Sequence, residues 1–254
     1  MIALGTPAAV TLDDVSKFQT GIPEKGNVET VLKFVTHSKQ ALRIARSFGW
    51  HSGARYTNLR DVRGLETLGF LDIDWKNYSF ERHLAAAKIR RPFLTIARDV
   101  EFIEDLQQIL DEAAQIAEFS SHVAIVPKDI KLADRLQSDI PENFVLGYSV
   151  PTKYGGTVIP PHCFTRPTHL LGGRPDVQRR LAEAMPVVSF DCNRFTLDAR
   201  FGDYFDGQIF RPHPTGGYLT CLEDSVANIT ALWTSYRAES GAGLWLKKST
   251  LKNS

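Results

Sequence analysis

The sequence predicts an α/β fold, a (β/α)8 TIM-like barrel, on three observations. Short apolar runs alternate with helical patterns along most of the chain. Acidic residues stand where several of those runs end. A chain of 254 residues with 43% hydrophobic content suffices for one barrel with a full core. Alternation alone also allows an open doubly wound sheet, and α/β barrels routinely fill a chain of this length as a single unit.

Taken in order, residues 1–27 carry Gly5, Pro7, Gly21, Pro23 and Gly26 with little periodicity and read as an irregular lead-in to a single barrel domain spanning 1–254. The apolar runs expected as strands are Thr30–Val35, Gly69–Ile73, Phe93–Ala97, Val123–Val126, Phe144–Val150, His169–Leu171 and Val187–Phe190. An eighth, irregular strand is placed near Gly207–Arg211, before a last helix at about Leu222–Arg237. Helical patterns fall at Lys39–Phe48, Ser79–Ile89, Val100–Phe119, Ile130–Gln137 and Asp176–Met185. Ser79 is a natural N-cap. In the longest pattern, Val100, Ile103, Leu106, Leu110 and Ala113 make one apolar stripe.

A formal net charge of +1 gives no global basic field for nucleic acid, so any such contact must come from local patches. Arg90-Arg91, Arg179-Arg180 and Lys247-Lys248 with Lys252 are the candidates, and each by itself reads as a solvated helix end or terminus. Three widely spaced cysteines, Cys163, Cys192 and Cys221, argue against a disulfide framework and fit a reducing, cytoplasmic setting. No apolar run reaches membrane-spanning length, and the N-terminus lacks a basic segment followed by an apolar stretch, so export is not expected.

In a parallel barrel, functional side chains gather where strands end. Asp74 closes the run from Gly69, Asp99 the run from Phe93, and Asp191 the run from Pro186. A carboxylate just past a strand often caps the next helix, and Asp99 fits that role because a strong helical pattern follows it directly. Asn193-Arg194-Phe195-Thr196 opens no convincing helix, so Asp191 is harder to explain as a cap. Several carboxylates in one mouth suit glycosidic-bond chemistry, in which one attacks an anomeric carbon and another manages protons.

Other features are less pointed. His162, Cys163 and His169, with the more distant His213, fit no standard zinc spacing. Gly155-Gly156 and Gly172-Gly173 read as turns, although late barrel loops do hold phosphates. Trp50, His51, Arg55 and Tyr56 could stack an extruded nucleotide or pack the barrel rim with equal ease.

The stretch Thr168-His169-Leu170-Leu171-Gly172-Gly173, continuing to Val188-Ser189-Phe190-Asp191-Cys192, resembles a signature of the tRNA-guanine transglycosylase superfamily. The resemblance covers roughly residues 65–205. It implies a barrel whose nucleophilic aspartate is Asp191 and whose proton-handling acid is Asp74. It further implies that Asp99, Gly147 and Tyr148 hold the base, with Tyr78 as the aromatic four residues after Asp74. Both glycines that the family places after that acid are lost here, and Asp72, on the same strand face, is a rival for its role. The family's Arg-Asn-Gly-Arg stretch is replaced by Leu197-Asp198-Ala199-Arg200-Phe201-Gly202.

The tRNA enzymes carry a cysteine-rich zinc site beyond the nucleophile, whereas here only Cys221 follows Asp191 and Cys192, so no zinc or other cofactor is expected. With the short chain, that points to the branch resembling DNA-guanine transglycosylases of phages and bacterial modification islands. The implied reaction exchanges guanine in DNA for a 7-deazaguanine, preQ0-like, through a covalent aspartyl intermediate. The alternatives are the same chemistry on tRNA, or a catalytically silent barrel that only binds nucleic acid or a partner; oligomeric state is left open.

Overall fold

The computed structural model describes residues 31–153 and 155–236. The predicted lead-in over 1–27 and the basic tail of Lys247, Lys248 and Lys252 lie outside the described residues.

Eight parallel strands close into a barrel in sequence order, so the fold is a (β/α)8 TIM-like barrel. β1 (Leu32–Thr36) pairs with both β2 (His51–Arg55) and β8 (Val187–Asp191), and that second pairing is the closure. Between them run β3 (Phe70–Asp72), β4 (Leu94–Ile96), β5 (His122–Ile125), β6 (Val145–Ser149) and β7 (Thr168–Leu171). The outer helices are α1 (Lys39–Ser47), α2 (Phe80–Arg90), α3 (Leu106–Ala117), the short α4 (Leu136–Asp139) and α5 (Pro175–Leu181). After β8 come α6 (Arg194–Asp198), an antiparallel hairpin of β9 (Asp203–Phe205) and β10 (Phe210–Pro212), and the long α7 (Tyr218–Thr234). Among the described residues, no helix is long and apolar enough to cross a membrane.

Local chemistry accounts for several boundaries. Ser79 caps α2 as expected, its hydroxyl accepting the N–H of Arg82 at 3.4 Å. Gly49, at φ +77°, takes the left-handed conformation that ends α1 and lets the chain turn into β2. Pro175 opens α5, where its missing N–H costs nothing.

All seven apolar runs form barrel strands. The eighth strand is a correction: it is β2, while the Gly207–Arg211 region contributes to the hairpin outside the barrel. His51-Ser52-Gly53-Ala54-Arg55 carries no β-branched residue and no alternation, so it gives no strand signal. Its small residues are required by the interior. A Cβ on Gly53 would lie 2.5 Å from Thr36 Oγ1 and 3.2 Å from Phe70 Cβ.

Three helical expectations also change. Val100 bridges to Pro127 and α3 begins only at Leu106, so Asp99 does not cap that helix. Ile130–Gln137 divides into a 3-10 turn and α4. Conversely, Asn193 does lead into a short helix, α6.

Phe34 of β1, Phe70 of β3 and His169 of β7 meet inside the barrel, with ring centroids 5.4 Å (Phe34–Phe70), 5.9 Å (Phe34–His169) and 5.2 Å (Phe70–His169) apart. Because residues two apart on a strand share a face, Asp72 and Asp191 stand one step above this aromatic layer. α7 packs on α1 and α5 and completes the helical ring. Trp50 Nε1 donates to Thr230 Oγ1 at 2.9 Å, and Phe190 stacks on Trp233 at 4.7 Å. Tyr56 is 5% exposed, and its hydroxyl donates to Asn77 O at 3.0 Å while accepting the N–H of Ser79 at 2.9 Å. Trp50 and Tyr56 are therefore packing residues and present no free ring to a nucleotide.

Candidate active site

A cleft of about 300 Å³ opens at the C-terminal ends of the strands, at the lower end of the range for ligand sites. Asp72, Asp99 and Asp191 all line it, with Arg55, Trp75, Lys128 and Asn193. Gly155, Gly156, Gly172 and Gly173 line it too, so both predicted glycine turns border the cleft. Asp74, Tyr78, Gly147 and Tyr148 are not among its lining residues.

Asp191 ends β8 and is 6% exposed. Its Oδ1 accepts the N–H of Gly172 at 2.9 Å, and its Oδ2 lies 3.4 Å from Asn193 Nδ2. The Asn193 amide has a fixed orientation, because its Oδ1 accepts the N–H of Thr36 at 2.8 Å and so turns Nδ2 toward Asp191. Fully buried Gln178 donates to the carbonyls of Gly172 at 2.7 Å and Asp191 at 2.8 Å, locking two strand ends to α5. Donors directed at a carboxylate hold its orientation.

Asp72 ends β3 across the mouth. Burial, reinforced by the charge of Asp191, pushes its carboxyl up to about 7, against the opposing pull of Arg55 and of the Ile73 N–H at 2.8 Å. Arg55 Nε lies 4.0 Å from Asp72 Oδ2, too far for a hydrogen bond, and its side chain is 48% exposed. Register explains the pairing, since Arg55 and Asp72 are direct partners on β2 and β3.

Asp99 lies between β4 and α3 and contacts Lys128 Nζ at 2.6 Å. Burial raises the Asp99 carboxyl in spite of that contact. Burial also pulls the Lys128 ammonium down, but Asp99 and Glu101, the latter at 2.9 Å, more than offset it and leave it raised. The pair thus presents an acceptor and a donor side by side in a partly dry cleft.

The remaining predicted residues lie outside the cleft lining. Asp74 sits in the turn after β3, where its carbonyl accepts the N–H of Asn77 at 3.2 Å. Tyr78 contacts His83 Nδ1 at 3.3 Å and meets Tyr56 edge to face at 6.1 Å. Thr95 donates its hydroxyl to Leu71 O at 2.7 Å and so accepts from His83 Nε2 at 2.8 Å; that leaves His83 Nδ1 to accept from Tyr78. Burial holds His83 down at about 4, consistent with this neutral tautomer. Gly147 faces inward, but a Cβ there would come within 2.6 Å of Val126 Cγ2, so packing explains the glycine. Tyr148 points outward against Phe164 at 5.0 Å.

Sequence reasoning missed Trp75 and Lys128. Trp75 is 59% exposed at the cleft, with Lys76 Nζ 5.1 Å from the centre of its ring. Lys128 follows β5 as the acids follow their own strands, and that position was its available signal. The basic patches are partly consumed internally: Arg90 donates to the carbonyls of Val62 at 3.0 Å and Leu65 at 2.8 Å, and Arg180 pairs with Asp176 at 3.3 Å. His213 pairs with Asp224 at 2.7 Å, and His169 points into the barrel, away from His162 and Cys163 in their surface turn.

No curated protein matches the chain. A family match covers residues 45–234, which include every strand from β2 to β8 and all three cleft carboxylates. The protein belongs to that family, DUF6610, described as a family of unknown function.

Proposed function

We propose that this protein is a guanine transglycosylase that exchanges guanine in DNA for a 7-deazaguanine, preQ0-like base through a covalent aspartyl-nucleoside intermediate. The observation that carries the reading is the pairing of Asp191 with Asp72 in one cleft, where their charges interact and their surroundings differ. A carboxyl raised by burial and by a neighbouring carboxyl is suited to act as the acid while that neighbour acts as the nucleophile.

The target nucleotide is extruded into the cleft at an unstacking cost of about a few kcal/mol. Asp191 attacks C1′ as the bond to guanine breaks, and Asp72, whose carboxyl burial raises above the usual carboxylate range, gives its proton to the departing base. The incoming base loses its ring N–H proton to Asp72 and attacks C1′, releasing Asp191. Two inversions give net retention. Asp99 accepts from the donor edge of the base, Lys128 donates to its oxo group, and Trp75 offers a stacking face. Asp72 and Trp75 here take the parts that the family resemblance gave to Asp74 and Tyr78. The chemistry uses side chains alone and suits a cytoplasmic enzyme.

Incubating the protein with radiolabelled guanine and either duplex DNA or tRNA tests the reading. Label in DNA that is absent with Asp191→Ala is the expected result. Label in tRNA only would move the activity to that polymer, and label in neither would leave a silent binding barrel.

A further inference from the structure

His169 is fully buried inside the barrel, held between Phe34 and Phe70. An imidazole in such a layer must satisfy both ring nitrogens or leave one at a cost. Nδ1 has Ser189 Oγ at 2.8 Å. Nε2 has no hydrogen-bond partner within range, and it points at Asp191, whose Oδ1 is 3.7 Å away. The backbone produces this alignment. The β7–β8 register shifts between Thr168 and His169, so that Thr168 partners Val187 while His169 comes abreast of Ser189 rather than Val188. Ser189 and Asp191 share the inward face of β8, and His169 bridges from one to the other. The Ser189 contact is satisfied with the proton on either atom, and a carboxylate facing Nε2 favours the tautomer in which Nε2 carries the proton and the serine hydroxyl donates to Nδ1.

We propose that His169 is a positioning residue for Asp191, presenting an Nε2–H that supports the carboxylate from below and turns it toward the cleft. The line Ser189–His169–Asp191 becomes a continuous hydrogen-bonded chain once the last gap closes by roughly half an ångström or more, the kind of tightening that substrate binding brings. The inference rests on reading Asp191 as the attacking group, but its observable is the behaviour of one carboxyl and needs no substrate.

Other charges act on Asp191 and must stay constant in the test. Asp72 and Arg55 face it across the mouth, and the Asp99–Lys128 pair shares the cleft. The neighbouring Cys192 thiol is pushed up to about 12 by burial, and Asp198 lies on the helix that follows. From β1, Phe34 stands abreast of Asp191 and adds no charge.

The experiment is a carbon-13 NMR titration of Asp191 in the full-length protein, assigned with Asp191→Asn, in three variants. His169→Leu removes both ring contacts. His169→Gln keeps an amide donor where Nε2 stands, and His169→Asn keeps one only on the Ser189 side. The expected result is an Asp191 midpoint raised by roughly one pH unit, tenfold in proton affinity, in His169→Leu and His169→Asn, with His169→Gln close to the parent. The acid limb of covalent-intermediate formation should move by the same amount, and rescue by Gln is what a mere core filler would not give. Should His169→Leu fail to fold, the Asn and Gln pair decides by the same criterion. Equal midpoints in the parent and in His169→Asn would overturn the proposal, as would a Gln variant shifted as far as Asn. A shifted midpoint in a protein that exchanges no base would uphold His169 and sink the transglycosylase reading instead.

Discussion

On the β8 wall of the cleft, Asp191 receives the Gly172 N–H, faces Asn193 and His169, and has its backbone tied down by Gln178. On the β3 wall, Asp72 receives the N–H of its own neighbour and sits 4.0 Å from a half-exposed guanidinium. The Gly172 N–H and the Asn193 amide hold the Asp191 carboxylate in orientation. Burial and the charge of Asp191 itself load Asp72 with a proton. Two identical side chains thus meet different surroundings, and on the proposed reading the donor-rich wall serves bond formation while the weakly paired wall serves proton traffic.

The sharpest way to break this comparison is Asp191→Asn, which should cost base exchange on the order of 10⁴-fold or more while circular dichroism shows an intact fold. Near-normal turnover would remove Asp191 from the chemistry and with it the contrast between the walls.

Next in size, Asp72→Asn should slow single-turnover exchange by about a hundred- to ten-thousand-fold, and Asp74→Asn by no more than about a few-fold. The opposite ranking would return the proton-handling role to Asp74. The same variant carries a stability signature. Because the folded Asp72 holds its proton up to about 7, above the ordinary carboxylate range, the native state binds more protons than the unfolded chain between about pH 4 and 7. Stability from this group is therefore full below about pH 4 and is lost as pH rises through about 7. Asp72→Asn should melt higher than the parent at pH 8, by an amount on the order of 2–4 kcal/mol, and near the parent at pH 4. A melting difference independent of pH would show that Asp72 is not held protonated by its wall.

Smaller effects belong to base recognition. Asp99→Asn and Trp75→Ala should each weaken base binding by about 1–3 kcal/mol, read as a raised KM with kcat little changed. Isothermal titration with the free base would check both. Tyr78→Phe should change base affinity least of all, within about twofold, because its hydroxyl serves His83 and the α2 packing. A Tyr78 effect as large as that of Trp75 would mean that the turn after β3 closes over the ligand.

Seven of the eight barrel strands were legible because each is an apolar run buried on both faces, which leaves a direct mark on composition. Asp191 and Asp99 were legible for a related reason: a charged residue directly after such a run has few places to go except the mouth. β2 was not legible, because Gly53 and its neighbours answer to Thr36 and Phe70, residues on two other strands. Nor could composition choose Asp72 over Asp74, since both share a strand face and only the point where β3 leaves the barrel separates cleft from turn. Trp75 and Tyr78 exchange places for the same reason, as Tyr56 and His83 claim the tyrosine and leave the indole exposed. The sequence by itself determined the fold class and which strand ends carry charge, because those follow from local hydrophobic pattern. Only the tertiary structure decided which acid is raised, which is held by donors and what lies beneath it, because each depends on groups that the closing of the barrel brings together from distant strands.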